Sequence, residues 1–410
     1  LATSKQPKSP RLGVWLFGAY GGLATTVVVG ARAIARGLAE PRGLVTATEL
    51  TAGLPLRPLD HLVFGGHEVR QGDFAASARE IESATGTMPE ALLRRLARDL
   101  AAASKNVRPG VLPNAGATIT ALADAPAPRR PVGLAAQLEQ IEADLADFQR
   151  RHRLDRVVAV NLTSTEPPLR LGRAHRSLAN LEQAIAKNDQ KQVRPSTIYA
   201  LAAARRGAPF VHFTPSNAAL VPAVREAFLR TGTPFMGCDG KTGETLVKSA
   251  LAPMFKYRNL RVLTWQGYNI LGDRDGRVLA APENKASKVA TKDGLLPQIL
   301  GYPLHTHVGI DYVPSLHDLK TAWDFVHFEG FLGFKMAMQF VWQGCDAILA
   351  APLVLDMVRL ADLAAHRGES GPMAHLACFF KQPLDTQEHN LHEQWRLLSA
   401  YCERVRAEAR

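Results

Sequence analysis

Residues 13–31 carry no charged side chain. A fold must either bury such a run in protein or place it in a lipid phase. Lys5, Lys8 and Arg11 precede it, as in a signal peptide or a membrane helix. However, Gly13, Gly18, Gly21, Gly22 and Gly30 and the pair Thr25-Thr26 dilute the run. They divide it into a buried strand over 12–17, a glycine turn, and a helix over 22–36 that ends near Gly37.

The alternation continues. Leu62-Val63-Phe64 reads as a second apolar strand closed by Gly65-Gly66, and 89–103 reads as a helix. Leu134, Leu138, Ile141, Leu145 and Phe148 fall at steps of four and three, one apolar helix stripe. Residues 156–162 form a strand, Pro195-Ser196-Thr197 starts a helix, and 208–213 form another strand. Alternating strands and helices predict a parallel, doubly wound sheet over 10–245. Residues 105–133 hold Pro109, Pro113, Pro126, Pro128 and Pro131 and read as a long irregular connection. Beyond 245 the texture changes. Residues 259–264, 306–313 and 323–329 are strand-like and separated by lysine-rich polar connections. An apolar helix over 347–365 and a polar helix over 386–410 complete the chain. There is no internal repeat.

Composition removes several classes. A chain of 410 residues has room for two or three domains. Its 46% hydrophobic and 21% charged residues are those of an ordered soluble protein. Cys238, Cys345, Cys378 and Cys402 form no CxxC pair, which excludes a disulfide scaffold and suits a reducing compartment. The net charge of +11 favours anionic partners. The basic clusters are dipeptides (Arg129-Arg130, Arg150-Arg151, Arg205-Arg206) without interleaved aromatics, which argues against nucleic acid and leaves phosphorylated metabolites.

The chemistry-bearing residues follow. Gly18, Gly21 and Gly22 stand between a strand and a helix, where main-chain N–H groups can approach a pyrophosphate. The pattern departs from GxGxxG, because Tyr20 takes the second glycine's place. Glu40, Glu49 and Glu68 are the candidate ribose-binding acids, Glu68 at the end of the second strand. Gly237–Ser249 opens another helix with small residues and hydroxyls, a second phosphate cradle or an ordinary capped start. Lys285, Lys288, Lys292, Lys320 and Lys381 follow, with Asp318 and Asp346 among them. A buried lysine can act as an acid or base, and a solvated one is only a basic face. His305 and His307 form an HxH with no third ligand in view, so no metal site is expected. Asp356 and Asp362 lie on the apolar helix and read as solvent-facing or capping.

Taken together, these segments resemble the myo-inositol-1-phosphate synthase family. The resemblance rests on Val63–Glu68, Pro195-Ser196-Thr197, Pro215-Ser216-Asn217, Gly237–Thr245, Tyr268–Gly276, Ser287–Lys292, Asp318-Leu319-Lys320 and Leu349–Leu353, in family order over roughly 12–385. The middle block, 237–320, is the specific part. The resemblance implies a Rossmann-like NAD domain over 10–245 plus 350–410. It also implies an inserted α+β catalytic and tetramerisation domain over 246–349. It implies a cytoplasmic homotetramer with no membrane or nucleic-acid partner, and NAD as cofactor. The reaction implied is cyclisation of glucose 6-phosphate by C5 oxidation, enolisation, aldol closure and re-reduction.

By the same resemblance, Thr242, Gly243, Glu244 and Thr245 hold the substrate phosphate, with charge from Lys292 and Lys320. Lys288, oriented by Asp346, moves the C5 hydroxyl proton. Lys381, paired with Asp239, meets the C1 oxygen. Gly18, Gly21, Gly22, Glu68, Thr163, Ser164, Thr165, Asp275 and Asp318 belong to the cofactor. The chain departs from the family's eukaryotic pattern at Tyr20, Leu23, Ala24, Glu68, Cys238 and Asp273-Arg274. Those departures bear on cofactor preference and on which hexose phosphate is used. The other readings are a related cyclase acting on a different hexose phosphate, an NAD-dependent polyol-phosphate dehydrogenase, and a non-catalytic sensor of NAD or inositol phosphate.

Overall fold

The uncharged run becomes a strand, a turn and a helix inside the protein. In strand β1, Leu12–Phe17, all six residues are buried. Leu12, Val14 and Leu16 enter one apolar core, and Trp15 and Phe17 enter another on the opposite face. Burial on both faces explains why the strand reads as continuous rather than alternating hydrophobicity. No described helix is long and apolar enough to cross a membrane.

This computed structural model describes residues 10–124, 132–272, 276 and 295–408. After β1 come α1 (Gly22–Ala35), β2 (Leu62–Glu68), α2 (Phe74–Thr85), α3 (Glu90–Ser104), β3 (Val107–Pro109), α4 (Ala117–Leu122) and α5 (Leu134–His152). Then come β4 (Arg156–Asn161), α6 (Leu178–Ala186), α7 (Pro195–Arg205), β5 (Phe210–His212), α8 (Pro222–Arg230) and β6 (Pro234–Gly237). The second half holds α9 (Glu244–Tyr257), β7 (Arg261–Leu271), α10 (Leu295–Leu300), β8 (His305–Tyr312), β9 (Leu319–Glu329) and β10 (Lys335–Cys345). The chain ends with α11 (Asp346–His366), β11 (Gly371–Pro372) and α12 (Leu391–Glu408).

Seven strands form one sheet in the order β11-β6-β5-β4-β1-β2-β3. All its pairings are parallel. Helices α1, α2, α3 and α11 cover one face, and α5 to α8 cover the other. From β3 to β6 this is the doubly wound dinucleotide-binding order, with its crevice where β1 meets β4. The predicted parallel sheet is therefore present, and α11, α12 and β11 return to it from the C-terminal part.

The second sheet runs β10-β9-β7-β8, with β7/β8 parallel and the other pairs antiparallel. Its inner face packs on α9 and α10 through Phe255, Trp265, Leu296, Ile299 and Val326.

Three expectations are corrected. Within 105–133, β3 and α4 interrupt the irregular connection. The second-half strands are longer than expected and β10 adds another, because β9 and β10 pair along their whole length from Lys335↔Glu329 to Cys345↔Leu319. Asp356 and Asp362, expected to be solvent-facing or capping, are both buried, and the capping alternative holds for Asp356. Asp356 accepts from Val45 N (2.8 Å) and Thr46 N (2.9 Å), so it caps a distant 3-10 turn, and burial pushes its carboxyl up to about 6. Asp362 pairs with Arg57 (3.1 Å) and Arg156 (2.6 Å).

Candidate active site

The C-terminal ends of β1, β2, β4 and β6 open toward one edge of the main sheet, and most of the candidate residues lie there. After β1 the chain turns at Gly18, whose φ is +84°; a Cβ there would also sit 3.0 Å from Leu162 O. Gly21 is the N-cap of α1, and a Cβ on Gly22 would project into open space. The first turn of α1 carries no acidic residue. Its leading N–H groups have no acceptors within the helix and carry the positive end of the dipole. An open, unblocked cradle with free donors fits a pyrophosphate.

Tyr20 fits this cradle because its ring leaves the crevice. The ring lies edge-on to Phe74 at 5.3 Å, and burial raises its hydroxyl to about 12. Its main-chain N–H donates to Glu68 Oε2 (2.7 Å). Of the three candidate acids, Glu68 is the one at the crevice. Glu40 is exposed and pairs with Arg42, and Glu49 is exposed. Glu68 Oε1 also accepts from Val69 N (2.8 Å) and Arg70 N (3.2 Å), so this carboxylate shapes the glycine turn itself.

After β4, Thr163 donates from Oγ1 to Asn161 Oδ1 (2.9 Å), Ser164 is half-buried and Thr165 is buried. Glu166 follows, a residue that the sequence reading did not single out. Its carboxylate accepts from Ser196 N (2.8 Å) and Ser196 Oγ (2.5 Å), fastening this segment to the start of α7. Burial holds its carboxyl above the usual range.

The loop after β6 forms a short antiparallel ribbon with the segment before α12. Lys381 N donates to Asp239 O (2.7 Å), Lys241 N to Phe379 O (2.8 Å), and Gly240 bridges Phe380. Asp239 has a φ of +61°. Its Oδ1 accepts from Lys381 Nζ at 2.8 Å, and both side chains are buried. The ribbon leads into Thr242, then Gly243, the N-cap of α9. A Cβ on Gly243 would lie 3.6 Å from Lys320 Nζ and 3.9 Å from Asp346 Oδ1. Lys320 and Asp346 pair at 3.1 Å. One cation, Lys320, is thus held beside a helix N-terminus, an arrangement that favours an anionic ligand.

Glu244 and Thr245 are buried at the start of α9. The Glu244 carboxylate accepts from Lys248 Nζ and Asn269 Nδ2. It therefore offers an anion its main-chain N–H rather than its side chain. Asp318 accepts from the Cys345 thiol (2.8 Å), and burial, with Asp346 nearby, lifts its carboxyl to about 6. Lys288, Lys292 and Asp275 lie outside the described residues, as does Lys285. His305 and His307 are exposed on β8. No group of metal-ligating side chains occurs among the described residues.

The doubly wound parallel sheet and the open glycine cradle at its crevice define a dinucleotide-binding fold. The comparisons narrow this class. The family model described as myo-inositol-1-phosphate synthase, an NAD-binding family, matches residues 12–402. The chain is 34% identical over 416 residues to inositol-3-phosphate synthase 1 of Bacteroides thetaiotaomicron, covering 96% of this chain and 95% of that one. It is 31% identical over 239 residues to inositol-3-phosphate synthase 1 of Oryza sativa subsp. japonica, 56% of this chain and 46% of that one. The fold matches the inositol-3-phosphate synthase of Caenorhabditis elegans with a TM-score of 0.85 at 22% identity, covering 97% of this chain and 86% of that one. It matches a myo-inositol-1-phosphate synthase-related protein of Thermotoga maritima with a TM-score of 0.78 at 23% identity, covering 96% and 98%. The chain belongs to the myo-inositol-1-phosphate synthase family.

Gly22 gives a direct test of the cofactor cradle. Gly22→Val is expected to weaken NAD binding about tenfold or more, since one lost donor-lined contact is worth about 1.5–3 kcal/mol. Its side chain enters open space, so the thermal midpoint should hold. Fluorescence titration of NAD and a melting curve check both. Unchanged NAD affinity would remove the turn from the cofactor site.

Proposed function

We propose that the chain cyclises D-glucose 6-phosphate to 1L-myo-inositol 1-phosphate, with no net redox change. The observation that carries this is the Lys320–Asp346 pair at a helix start suited to phosphate, with the buried Lys381–Asp239 pair on the ribbon that leads into it. The glycine turn Gly18–Gly22 would hold NAD, which would supply reversible hydride transfer at C5. The chain's own residues do the rest. The N–H groups at the start of α9 hold the phosphate, and Lys320 adds charge beside them. Loss of the C5 hydroxyl proton accompanies ketone formation, and Lys288, oriented by Asp346, takes it. The ketone acidifies C6. Loss of a C6 proton gives an enolate, whose attack on the C1 aldehyde forms the C1–C6 bond. Lys381, held by Asp239, stabilises the oxyanion at O1 and protonates it.

The domain division at 246–349 and the tetramer are part of the same reading. The outer face of the second sheet exposes Tyr268, Trp323 and Val341, and the β9–β10 hairpin exposes Phe331, Leu332 and Phe334. Apolar surface of this kind marks contact with another chain, and further copies of this chain supply it in the proposed homotetramer. Four free, buried cysteines support a reducing, cytoplasmic setting.

The test is phosphorus and proton NMR of the protein with glucose 6-phosphate and trace NAD, with NADH absorbance followed in parallel. Inositol phosphate without net NADH is expected. Net NADH with an oxidised sugar phosphate would replace the cyclase with a dehydrogenase. Turnover of only another hexose phosphate would move the substrate.

A further inference from the structure

The ribbon that carries Asp239 carries a second buried cation two residues on. Lys241 is 2% exposed. Its ammonium donates to Gln394 Oε1 on α12, and Gln394 Nε2 donates to Glu388 O (2.6 Å). The ammonium makes no ion pair with any described residue, whereas Lys320, Lys381 and Lys248 each have a carboxylate partner.

The titratable groups around Lys241 are either uncharged at neutral pH or engaged with other partners. Burial holds the Cys378 thiol, on the 3-10 turn Ala374–Phe379, up at about 12. Burial, and then Lys241 itself, hold the His389 imidazole below its ordinary value, so it stays uncharged. The Glu388 carboxylate turns to Asn390 N (2.7 Å). Along the ribbon, the Asp239 carboxylate is taken by Lys381. A buried ammonium with three donors, one neutral acceptor and no counter-ion is costly. Accordingly, desolvation brings Lys241 down to about 8. Folding has retained a charge that a methionine of similar length would replace at no electrostatic cost.

The next residues along the chain are Thr242, Gly243, Glu244 and Thr245, the start of α9. We propose that the Lys241 ammonium is the fixed counter-charge of the bound phosphate, making the site select a phosphate monoester in its dianionic form. This rests on the proposed function only in taking phosphate to bind at the start of α9. Lys241 is a positioning residue: its side chain is spent on α12, and it acts on the ligand through the field inside a low-dielectric region. Such coupling is reciprocal. A dianion makes Lys241 hold its proton more tightly by the same factor as the proton tightens the dianion.

The test uses the full chain with saturating NAD, and inorganic phosphate as probe, titrated calorimetrically in buffers of differing ionisation heat. Near pH 8 the wild type should take up protons on binding phosphate, beyond those attributable to the phosphate's own titration. Its affinity should fall about five- to tenfold as the pH rises toward about 10, a shift at the low end of ordinary coupling factors. Lys241→Met should bind phosphate weakly at neutral pH, lose the proton uptake, and unfold at the same or higher urea concentration. Lys241→Arg, which keeps its charge, should hold its affinity into the alkaline range. Wild-type affinity and proton uptake in a folded Lys241→Met protein would overturn the proposal. So would the absence of proton uptake in the wild type, a result that needs no variant. A wild type that binds no phosphate at any pH would overturn the proposed function along with it.

Discussion

Lys381→Met is expected to lower the cyclisation turnover by about 100- to 1,000-fold, the range for loss of one donor to a developing oxyanion. The KM for the sugar phosphate should change far less, because the proposed phosphate site is the start of α9 and does not include Lys381. A second effect accompanies the first. Asp239 Oδ1 accepts from Lys381 Nζ at 2.8 Å, and both side chains are buried. Truncating the lysine takes its ammonium away from a buried carboxylate, at a cost of up to about 3–5 kcal/mol. Single-variant kinetics therefore mix chemistry with folding. Lys381→Met combined with Asp239→Asn separates them. The double variant should recover most of the lost urea stability, and its turnover should stay as low as that of the single variant. Recovery of turnover with stability would mean that the pair is structural and that another group meets the C1 oxygen.

How much of this was readable in the sequence depended on the range of the interaction. The β1 strand, the glycine turn and the helix after it are encoded within 12–36, so local pattern found them. The β10 strand was missed because its two faces are too alike. Met336, Met338, Phe340 and Trp342 alternate with Ala337, Gln339, Val341 and Gln343, and only pairing with β9 reveals the strand. Glu68 could be placed at the crevice, but its bond to Tyr20 N could not, since it joins two turns from adjacent strands. Asp356 and Asp362 read as solvent-facing or capping, and their burial was not visible because their partners, Thr46, Arg57 and Arg156, lie more than 200 residues away. Glu166 and Lys241 carried no local signal. Each is defined by what folding brings to it, Ser196 in one case and Gln394 in the other. The lysine set was found through the block 237–320, yet the Lys381–Asp239 pair spans 142 positions, and only the ribbon between β6 and α12 explains it.

Lys248→Met is expected to destabilise the protein by about 3–5 kcal/mol, for a reason separate from catalysis. Lys248 and Glu244 are four apart on α9, with side chains 3% and 1% exposed. The acid stands at the helix start and the base follows it, the favourable order for the dipole. The pair fits because β7 has Gly267 beneath it, where a Cβ would come within 2.2 Å of Glu244 Oε1. Asn269 Nδ2 donates to the other carboxylate oxygen. Removing the ammonium takes the cation away from a buried carboxylate. Adding Glu244→Gln should restore most of the loss, since a neutral amide oxygen still accepts from Asn269 and no charge remains; urea titrations of the two singles and the double close the cycle. The double variant also isolates the role of residue 244 in the phosphate site. If its main-chain N–H alone serves the phosphate, the folded double variant should keep the wild-type KM for the sugar phosphate. A KM more than about tenfold higher, equivalent to about 1.4 kcal/mol, would place the Glu244 carboxylate or Lys248 in direct service of the substrate. It would also mean that the Glu244–Lys248 pair opens when the substrate binds.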